Sequence, residues 1–232
     1  MFDYTAMDLR SAIANCGVSS GDTIFVHSNL GMFGRMDGGV TPELLCMDAV
    51  RVAREVIGLY GTVCVPCFSH TPCGMFSENV KSHPHAAISD DPMFTVATLG
   101  RQAKRLVANT GVESFGEDSF WDRFLVERGK IVNFNFDAGS TFIHFVERRL
   151  NVPYRSDRLI GGSIYFSRSL EDPLAVPRFE RFDKLAREAG YVRTAKVGRG
   201  AVNVITASDT VRLIEDTIKR EPYFLTERGV NV

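Results

Sequence analysis

The residue types that could do chemistry in this chain are concentrated between Asn135 and Arg155, where a histidine and a glutamate lie three positions apart. His144 and Glu147 share a face if the segment is helical, because residues i and i+3 of a helix lie on one side. A carboxylate at one ring nitrogen of a histidine fixes the tautomer and makes the other nitrogen more basic. The pair is therefore a candidate general base, and a surface ion pair on a helix is the alternative.

The residues around this pair predict how the fold positions it. An apolar, β-branched strand over Lys130–Phe134 ends at the turn-forming residues 137–140, and a helix follows. Loops at strand ends carry function in α/β proteins. We therefore expect the pair at a strand-to-helix turn. Thr141 is expected as the helix N-cap, as a donor to a developing oxyanion, or as both, with Ser140 sharing these roles.

A second candidate segment follows the predicted strand Thr23–His27. The loop from Ser28 to Thr41 contains four glycines, which allow backbone N–H groups to approach a ligand closely. The loop has neither the GxGxxG spacing nor the lysine of a P-loop, so on its own it is a weak signal of ligand binding. His27, at the end of the strand, is interpreted as a packed residue rather than a catalyst.

These segments resemble the aminoglycoside 3-N-acetyltransferase-like family of acyltransferases. Residues 141–147, TFIHFVE, are similar to a family helix start that reads roughly T-x-L-H-x-A-E, with valine in place of alanine. The resemblance continues in order over nearly the whole chain, with GDTIFVHSNL at 21–30, FG at 33–34, GG at 38–39, GTVCVPCF at 61–68, DPMFTVATLG at 91–100, and a helix, a strand and a final helix between 182 and 224.

The resemblance implies an α/β fold with a mixed β-sheet flanked by helices on both faces, in a single acyltransferase domain over residues 1–232. It implies a CoA-dependent N-acyltransferase that moves an acetyl or other short acyl group from acyl-CoA to a primary amine. His144 would be the general base, Glu147 would orient it, and Thr141 would complete the catalytic set. The residues implied for CoA are Ser28, Asn29, Leu30, Phe33, Gly34, Met93, Phe94 and Ser119, and those for the amine are Asp118, Asp137, Tyr154 and Arg155.

The acyl acceptor is less closely defined by the sequence. Asp137 precedes His144 by seven residues, whereas the family's aspartate usually precedes its histidine by six. An amino sugar, including a nucleotide-linked one, or a small anionic amine is favoured by the basic and aromatic residues near the predicted site, which are Lys130, Tyr154, Arg155 and Arg158. A true aminoglycoside 3-N-acetyltransferase that confers antibiotic resistance is the alternative.

Composition restricts the class of protein. The 232 residues carry a net charge of −1, with 44% hydrophobic and 24% charged residues, as is ordinary for a globular domain. No basic excess indicates a nucleic-acid partner, and no apolar run of about 20 residues predicts a membrane span. The first residues do not read as a secretory signal, so we expect a cytoplasmic enzyme, monomeric or homodimeric, whose partner is a small-molecule amine.

The five cysteines, an odd number, do not indicate a disulfide framework. Cys64 and Cys67 are interpreted as packing residues rather than as a metal or redox pair. No metal is expected, although a site could be completed on paper by three nearby histidines, His70, His83 and His85.

Two other classes of function remain open at this point. A Cys/His hydrolase that used Cys67 or Cys73 with His70 would need its nucleophile at a strand-to-helix elbow, and neither cysteine shows one. A non-catalytic binding protein on the same fold would predict loss of the His–Glu pair, and the chain retains that pair.

The remaining elements alternate between helices and strands, which favours a sheet covered on both faces. Consecutive strands late in the chain predict antiparallel pairing. The predicted helices are 4–16, Pro42–Leu59 with Thr41 as N-cap, 94–108, Ser119–Arg128, 180–189 and 208–220; the other predicted strands are Gly61–Phe68, Ser163–Ser167, Tyr191–Val197 and Gly200–Thr206; long loops are predicted over Ser69–Asp90 and Asn135–Ser140.

Overall fold

The computed structural model describes residues 2–38 and 41–229, and its centre is a mixed seven-stranded β-sheet. The strands, in chain order, are β1 (Thr23–Ser28), β2 (Thr62–Pro66), β3 (Ala87–Ile88), β4 (Val96–Gly100), β5 (Lys130–Phe134), β6 (Arg155–Ile160), β7 (Ser163–Arg168), β8 (Arg193–Val197) and β9 (Gly200–Thr206). The sheet order is β3-β4-β2-β1-β5-β9-β8, and β6 with β7 forms a separate antiparallel hairpin.

The three central strands are parallel, their neighbours β4 and β9 run antiparallel to them, and the edge strands β3 and β8 reverse direction once more. β1 pairs in parallel with β2 on one side and with β5 on the other, while β4 and β9 extend the sheet antiparallel at each flank. The chain therefore leaves β1 towards one edge and later returns on its other side. Ligands of α/β sheets bind at such a switch point, outside the carboxyl ends of the strands. Here that crevice lies after Ser28 and Phe134.

Helices cover both faces of the sheet, as the sequence predicted. They are α1 (Ala6–Asn15), α2 (Pro42–Ile57), α3 (Gly74–Lys81), α4 (Ala103–Val107), α5 (Phe120–Val126), α6 (Phe142–Arg149), α7 (Phe179–Glu188) and α8 (Ala207–Ile218). The first three pack into one hydrophobic core, and α4 to α8 contribute to the other. Alternation along β1 supplies both cores, since Ile24 and Val26 join the first and Phe25 joins the second.

Helix starts follow the local sequence signals. Thr41 accepts a hydrogen bond from the backbone N–H of Leu44, with Pro42 in the first turn, and Ser119 accepts from the N–H of Asp122. At the start of α1, Thr5 and Asp8 form a reciprocal capping box. None of the described helices is long and apolar enough to cross a bilayer.

The expected helix over 94–108 is wrong in its first half. Residues 96–100 form β4, an antiparallel partner of β2, and only 103–107 are helical. Val96, Ala97 and Leu99 are buried, with Ala97 and Val96 in opposite cores. A short apolar run buried on both faces has no alternation to distinguish a strand from a helix, so only sheet pairing decides its structure.

Two further segments differ from expectation. The predicted loop Ser69–Asp90 contains α3 and the two-residue strand β3. Residues 155–160, to which the sequence assigned no strand, form β6 because they pair along their length with β7. These elements are specified by partners distant in sequence or by short local runs, and neither produces a strong periodic pattern.

Candidate active site

His144 and Glu147 form a buried pair on α6. Nδ1 of His144 lies 2.7 Å from Oε2 of Glu147, and the glutamate side chain is 0% exposed. The alternative of a solvent-exposed ion pair is therefore wrong. A carboxylate this close to Nδ1 holds the proton on that nitrogen and leaves the lone pair of Nε2 free when the ring is neutral.

The carboxylate of Glu147 has a second partner that sequence reasoning placed elsewhere. Nε of Arg155 lies 2.8 Å from the same oxygen, Oε2, and its side chain is 2% exposed. Tyr154 is also buried, next to Glu147. Burial raises the pKa of this tyrosine, and the neighbouring carboxylate of Glu147 raises it further. Tyr154 and Arg155, which were assigned to the amine, do not line the cavity of His144, because both side chains are buried at the start of β6 next to Glu147.

Charges in this buried group set its protonation state. Burial by itself would raise the pKa of Glu147, but Arg155 and His144 outweigh it and hold that pKa below its ordinary value. Burial lowers the pKa of His144, and Arg155 lowers it further against the opposing pull of Glu147. At neutral pH the glutamate is ionised and the imidazole is neutral, which is the state that a general base requires.

A cavity of about 510 Å³ lies above this pair at the carboxyl ends of β1 and β5. Three aromatic rings also surround His144, with centroids 5.3 Å (Phe179), 5.5 Å (Phe115) and 6.1 Å (Tyr165) from that of the imidazole. The described residues that line the cavity are His27, Phe136, Asp137, Gly139, Ser140, Thr141, His144, Pro177, Phe179 and Glu180.

Thr141 and Ser140 divide the roles that the sequence assigned to them. Ser140 Oγ accepts a hydrogen bond from the backbone N–H of Phe142, so Ser140 stabilises the first turn of α6. Thr141, at the N-cap position, makes no side-chain capping bond and lines the cavity beside His144. Its hydroxyl is thus available to a ligand.

His27 is the residue of this site that sequence reasoning missed. Phe25 and Phe136 pack edge-on against its ring, and Nδ1 lies 3.1 Å from Oδ1 of the buried Asn133. Burial lowers the pKa of His27 to about 4. The signal that could have revealed it is register: β1 and β5 are parallel with His27 opposite Asn133, so the strand-end histidine lies over the same crevice as the loop after β5.

The described lining of the cavity carries carboxylates and no lysine or arginine. Desolvation, followed by the neighbouring Asp183, raises the pKa of Asp137. Asp183 also holds the loop, because its Oδ1 accepts from the N–H of Ala138 at 2.7 Å. Lys130 lies at the other end of β5, paired with Asp22 at 2.6 Å. The basic residues that suggested an anionic acceptor therefore do not line this cavity, and the identity of the acceptor stays a prediction.

A second cavity, of about 520 Å³, is lined by the glycine-containing loop after β1. Ser28, Asn29, Leu30 and Gly34 all contribute to it, as the sequence predicted for one loop. Phe33 does not, because its side chain is 0% exposed and packs in the core. Gly39, which the sequence also placed in this loop, lies outside the described residues.

The other residues assigned to CoA or to the amine lie elsewhere. Phe94 is buried among Phe68, Phe115 and Tyr165, and Ser119 is the buried N-cap of α5. Neither they nor Met93 and Asp118 line the two cavities. The structure therefore lines the two cavities with residues from the loops after β1 and β5. The segment between 93 and 119 reaches the site only through Phe115, whose ring packs against that of His144.

The cysteines pack into the fold. Four of the five are buried and all five are free thiols; Cys64 and Cys67 belong to opposite cores. Burial raises the pKa of Cys67 to about 11 and raises that of Cys73, which is the opposite of what a thiolate nucleophile needs. Within residues 2–38 and 41–229, no three His, Cys, Asp or Glu side chains are grouped to hold a metal ion.

Solved structures with the same fold include aminoglycoside acetyltransferases. The apoenzyme of aminoglycoside acetyltransferase AAC(3)-IVa has a TM-score of 0.80 at 20% identity, over 97% of this chain and 92% of that one. AAC-IIIb, solved with CoASH, has a TM-score of 0.73 at 18% identity, over 93% and 97%. The YokD protein from Bacillus subtilis has a TM-score of 0.70 at 19% identity, over 92% and 98%.

Sequence comparison defines the family. No curated protein matches the chain in sequence. Residues 25–219, which include both cavity-lining loops and the His–Glu pair, match the family model described as aminoglycoside 3-N-acetyltransferase. The prediction made from the short motifs is thereby confirmed, and the chain belongs to the aminoglycoside 3-N-acetyltransferase family.

Proposed function

We propose that this protein is a CoA-dependent N-acetyltransferase in which His144 is the general base and Glu147 orients it. The observation that carries the proposal is the buried contact of 2.7 Å between Nδ1 of His144 and Glu147, at the wall of a cavity on the carboxyl edge of the sheet. A neutral, carboxylate-backed imidazole at such an edge can remove a proton from an attacking amine. Family membership and the CoASH-bound structure of AAC-IIIb support the choice of acyl donor.

The cavity after β1 has features that suit CoA. Ser28 lines this cavity while its neighbour His27 lines the cavity of His144, so both cavities open at the carboxyl end of β1. Gly34 has φ of +90°, and a Cβ there would meet the side chain of Asp3. Arg35 is exposed beside it and can attract the phosphates of CoA. The group bound here would supply the acyl thioester at the site of His144.

The chain's own residues would then move one proton and hold one developing charge. Nε2 of His144 accepts a proton from the amine as the C–N bond forms and the C–S bond breaks, and the proton is returned to the departing thiolate. Glu147 stabilises the imidazolium in the interval. The hydroxyl of Thr141 can donate to the acyl oxygen as charge develops there.

The acceptor that best fits the cavity is an amino sugar presented as a cation. Asp137 and Glu180 line the cavity and attract ammonium groups, while Phe136 and Phe179 offer apolar faces to a sugar ring. AAC(3)-IVa has been solved with a gentamicin and with apramycin, and in both complexes it carries a histidine-to-alanine substitution. We therefore infer an amino sugar as the acceptor, with aminoglycosides in the same class.

The test is thiol release from acetyl-CoA across amines of different charge, with glucosamine, gentamicin and a nucleotide-linked amino sugar compared. Replacing His144 by alanine should slow transfer by roughly 10²–10⁴-fold, the usual contribution of a general base, while CoA binding by calorimetry is retained. Arg148→Met is the matched control, because Arg148 lies on the same helix and pairs with Asp157 instead. Wild-type turnover in His144→Ala would refute the mechanism.

A further inference from the structure

The fold determines which nitrogen of His27 carries the proton. Nδ2 of Asn133 donates to the carbonyl oxygens of Asp137 and Gly139, so the amide nitrogen is committed to the loop after β5. Oδ1 must then face His27, where it lies 3.1 Å from Nδ1. An amide oxygen only accepts hydrogen bonds, so Nδ1 carries the proton and Nε2 holds a free lone pair.

Two imidazoles therefore line one cavity with an unprotonated Nε2, but different groups lie behind them. His144 is backed by the carboxylate of Glu147, which stabilises an imidazolium. His27 is backed by the neutral amide of Asn133, which does not, and burial lowers its pKa to about 4. His27 can accept a hydrogen bond and cannot keep a proton. This difference supports the proposal of His144, rather than His27, as the base.

We propose that Nε2 of His27 accepts a hydrogen bond from the attacking amine and thereby selects primary over secondary amines. The proposal rests on the proposed N-acetyl transfer. A primary amine has two N–H groups as its lone pair attacks the acyl carbon. One proton passes to His144 and then to the leaving thiolate as the C–S bond breaks, and the other remains on the product amide. His27 would accept a hydrogen bond from this second N–H. A secondary amine has only one N–H, and it gives that proton to His144, so it has none left for His27.

The tautomer can be measured without any turnover. In protein labelled with ¹⁵N at histidine, His27 should show a proton on Nδ1 and a bare Nε2 from pH 8 to pH 5. Glucosamine in excess should shift the Nε2 resonance of His27, and N-methylglucosamine should shift it less. A proton found on Nε2, or a resonance that does not respond to glucosamine, would overturn the proposal.

The kinetic test compares glucosamine with N-methylglucosamine as acceptors of the acetyl group. His27→Phe keeps a ring of similar shape and should reduce the preference for the primary amine by about two- to tenfold, the worth of one neutral hydrogen bond. Arg148→Met is the control, since Arg148 lies outside this cavity and pairs with Asp157, and it should leave the preference unchanged. An unchanged preference in folded His27→Phe would contradict the proposal. Failure of the proposed base would appear separately, as full turnover in His144→Ala.

Discussion

Replacing Arg155 by methionine should raise the pKa of the His144–Glu147 pair and shift the acid limb of the pH–rate profile to higher pH. The guanidinium of Arg155 and the imidazole of His144 contact one oxygen of Glu147, at 2.8 and 2.7 Å. The two nitrogens therefore lie at most about 5.5 Å apart. Because the guanidinium is always charged, it opposes a second positive charge on the imidazole.

The magnitude follows from this separation. At an effective dielectric constant of about 20, two unit charges about 5 Å apart repel by about 3 kcal/mol, which corresponds to about two pKa units. Losing Arg155 also leaves the carboxylate of Glu147 with one partner fewer, so the pair binds a proton more tightly whichever residue holds it. Water that enters the space screens part of the effect, so we expect a rise of about one to two units. The protonated, inactive form then persists to higher pH, and activity at neutral pH falls.

The assay is the pH dependence of kcat/KM by thiol release, together with an NMR titration of His144. Removing one partner of a buried ion pair costs about 3–5 kcal/mol, so the melting temperature should also fall and measurements belong well below it. Arg155→Lys keeps the charge and should restore most of the wild-type pH profile. Arg148→Met removes a half-buried arginine of α6 that pairs with Asp157, and this variant should keep the wild-type pH profile. A folded Arg155→Met enzyme with the wild-type acid limb would refute the electrostatic reasoning.

Three other perturbations test separate parts of the site. Glu147→Gln removes the charge that favours imidazolium, so it should move the acid limb of the pH–rate profile to lower pH, the opposite of Arg155→Met. It should also slow transfer by less than His144→Ala does. A shift of the acid limb to higher pH would contradict this reasoning. Because burial lowers the pKa of His27 to about 4 from 6.5, the unfolded chain binds a proton that the folded chain excludes. Stability in urea should therefore fall as the pH drops through that interval, by at most about 3 kcal/mol, and His27→Phe should flatten the fall. Gly34→Ala places a Cβ against Asp3 at a positive φ and should weaken CoA binding in calorimetry, whereas Gly21→Ala, also at positive φ with open space around it, should strain the chain without that loss.

Local features of the chain were enough to predict several parts of the site. The spacing of His144 and Glu147 determines that they share a helix face, because three residues cover most of one turn. The glycines after β1 and the apolar strand before Asp137 likewise mark two loops at strand ends. Thr41 and Pro42 predict the start of α2 from their own capping chemistry. Each of these inferences needs only residues a few positions apart.

What the sequence could not supply came from contacts between distant segments. Arg155 reads as a surface basic residue until β6 pairs with β7 and turns its side chain onto Glu147. His27 and Asn133 are 106 residues apart and meet only because β1 and β5 are parallel in that register. The sequence by itself determined that His144 and Glu147 can pair, since a helical turn is local. Tertiary structure decided that Arg155 contacts Glu147 and that His27 lines the cavity of His144, because burial and sheet register depend on the whole chain.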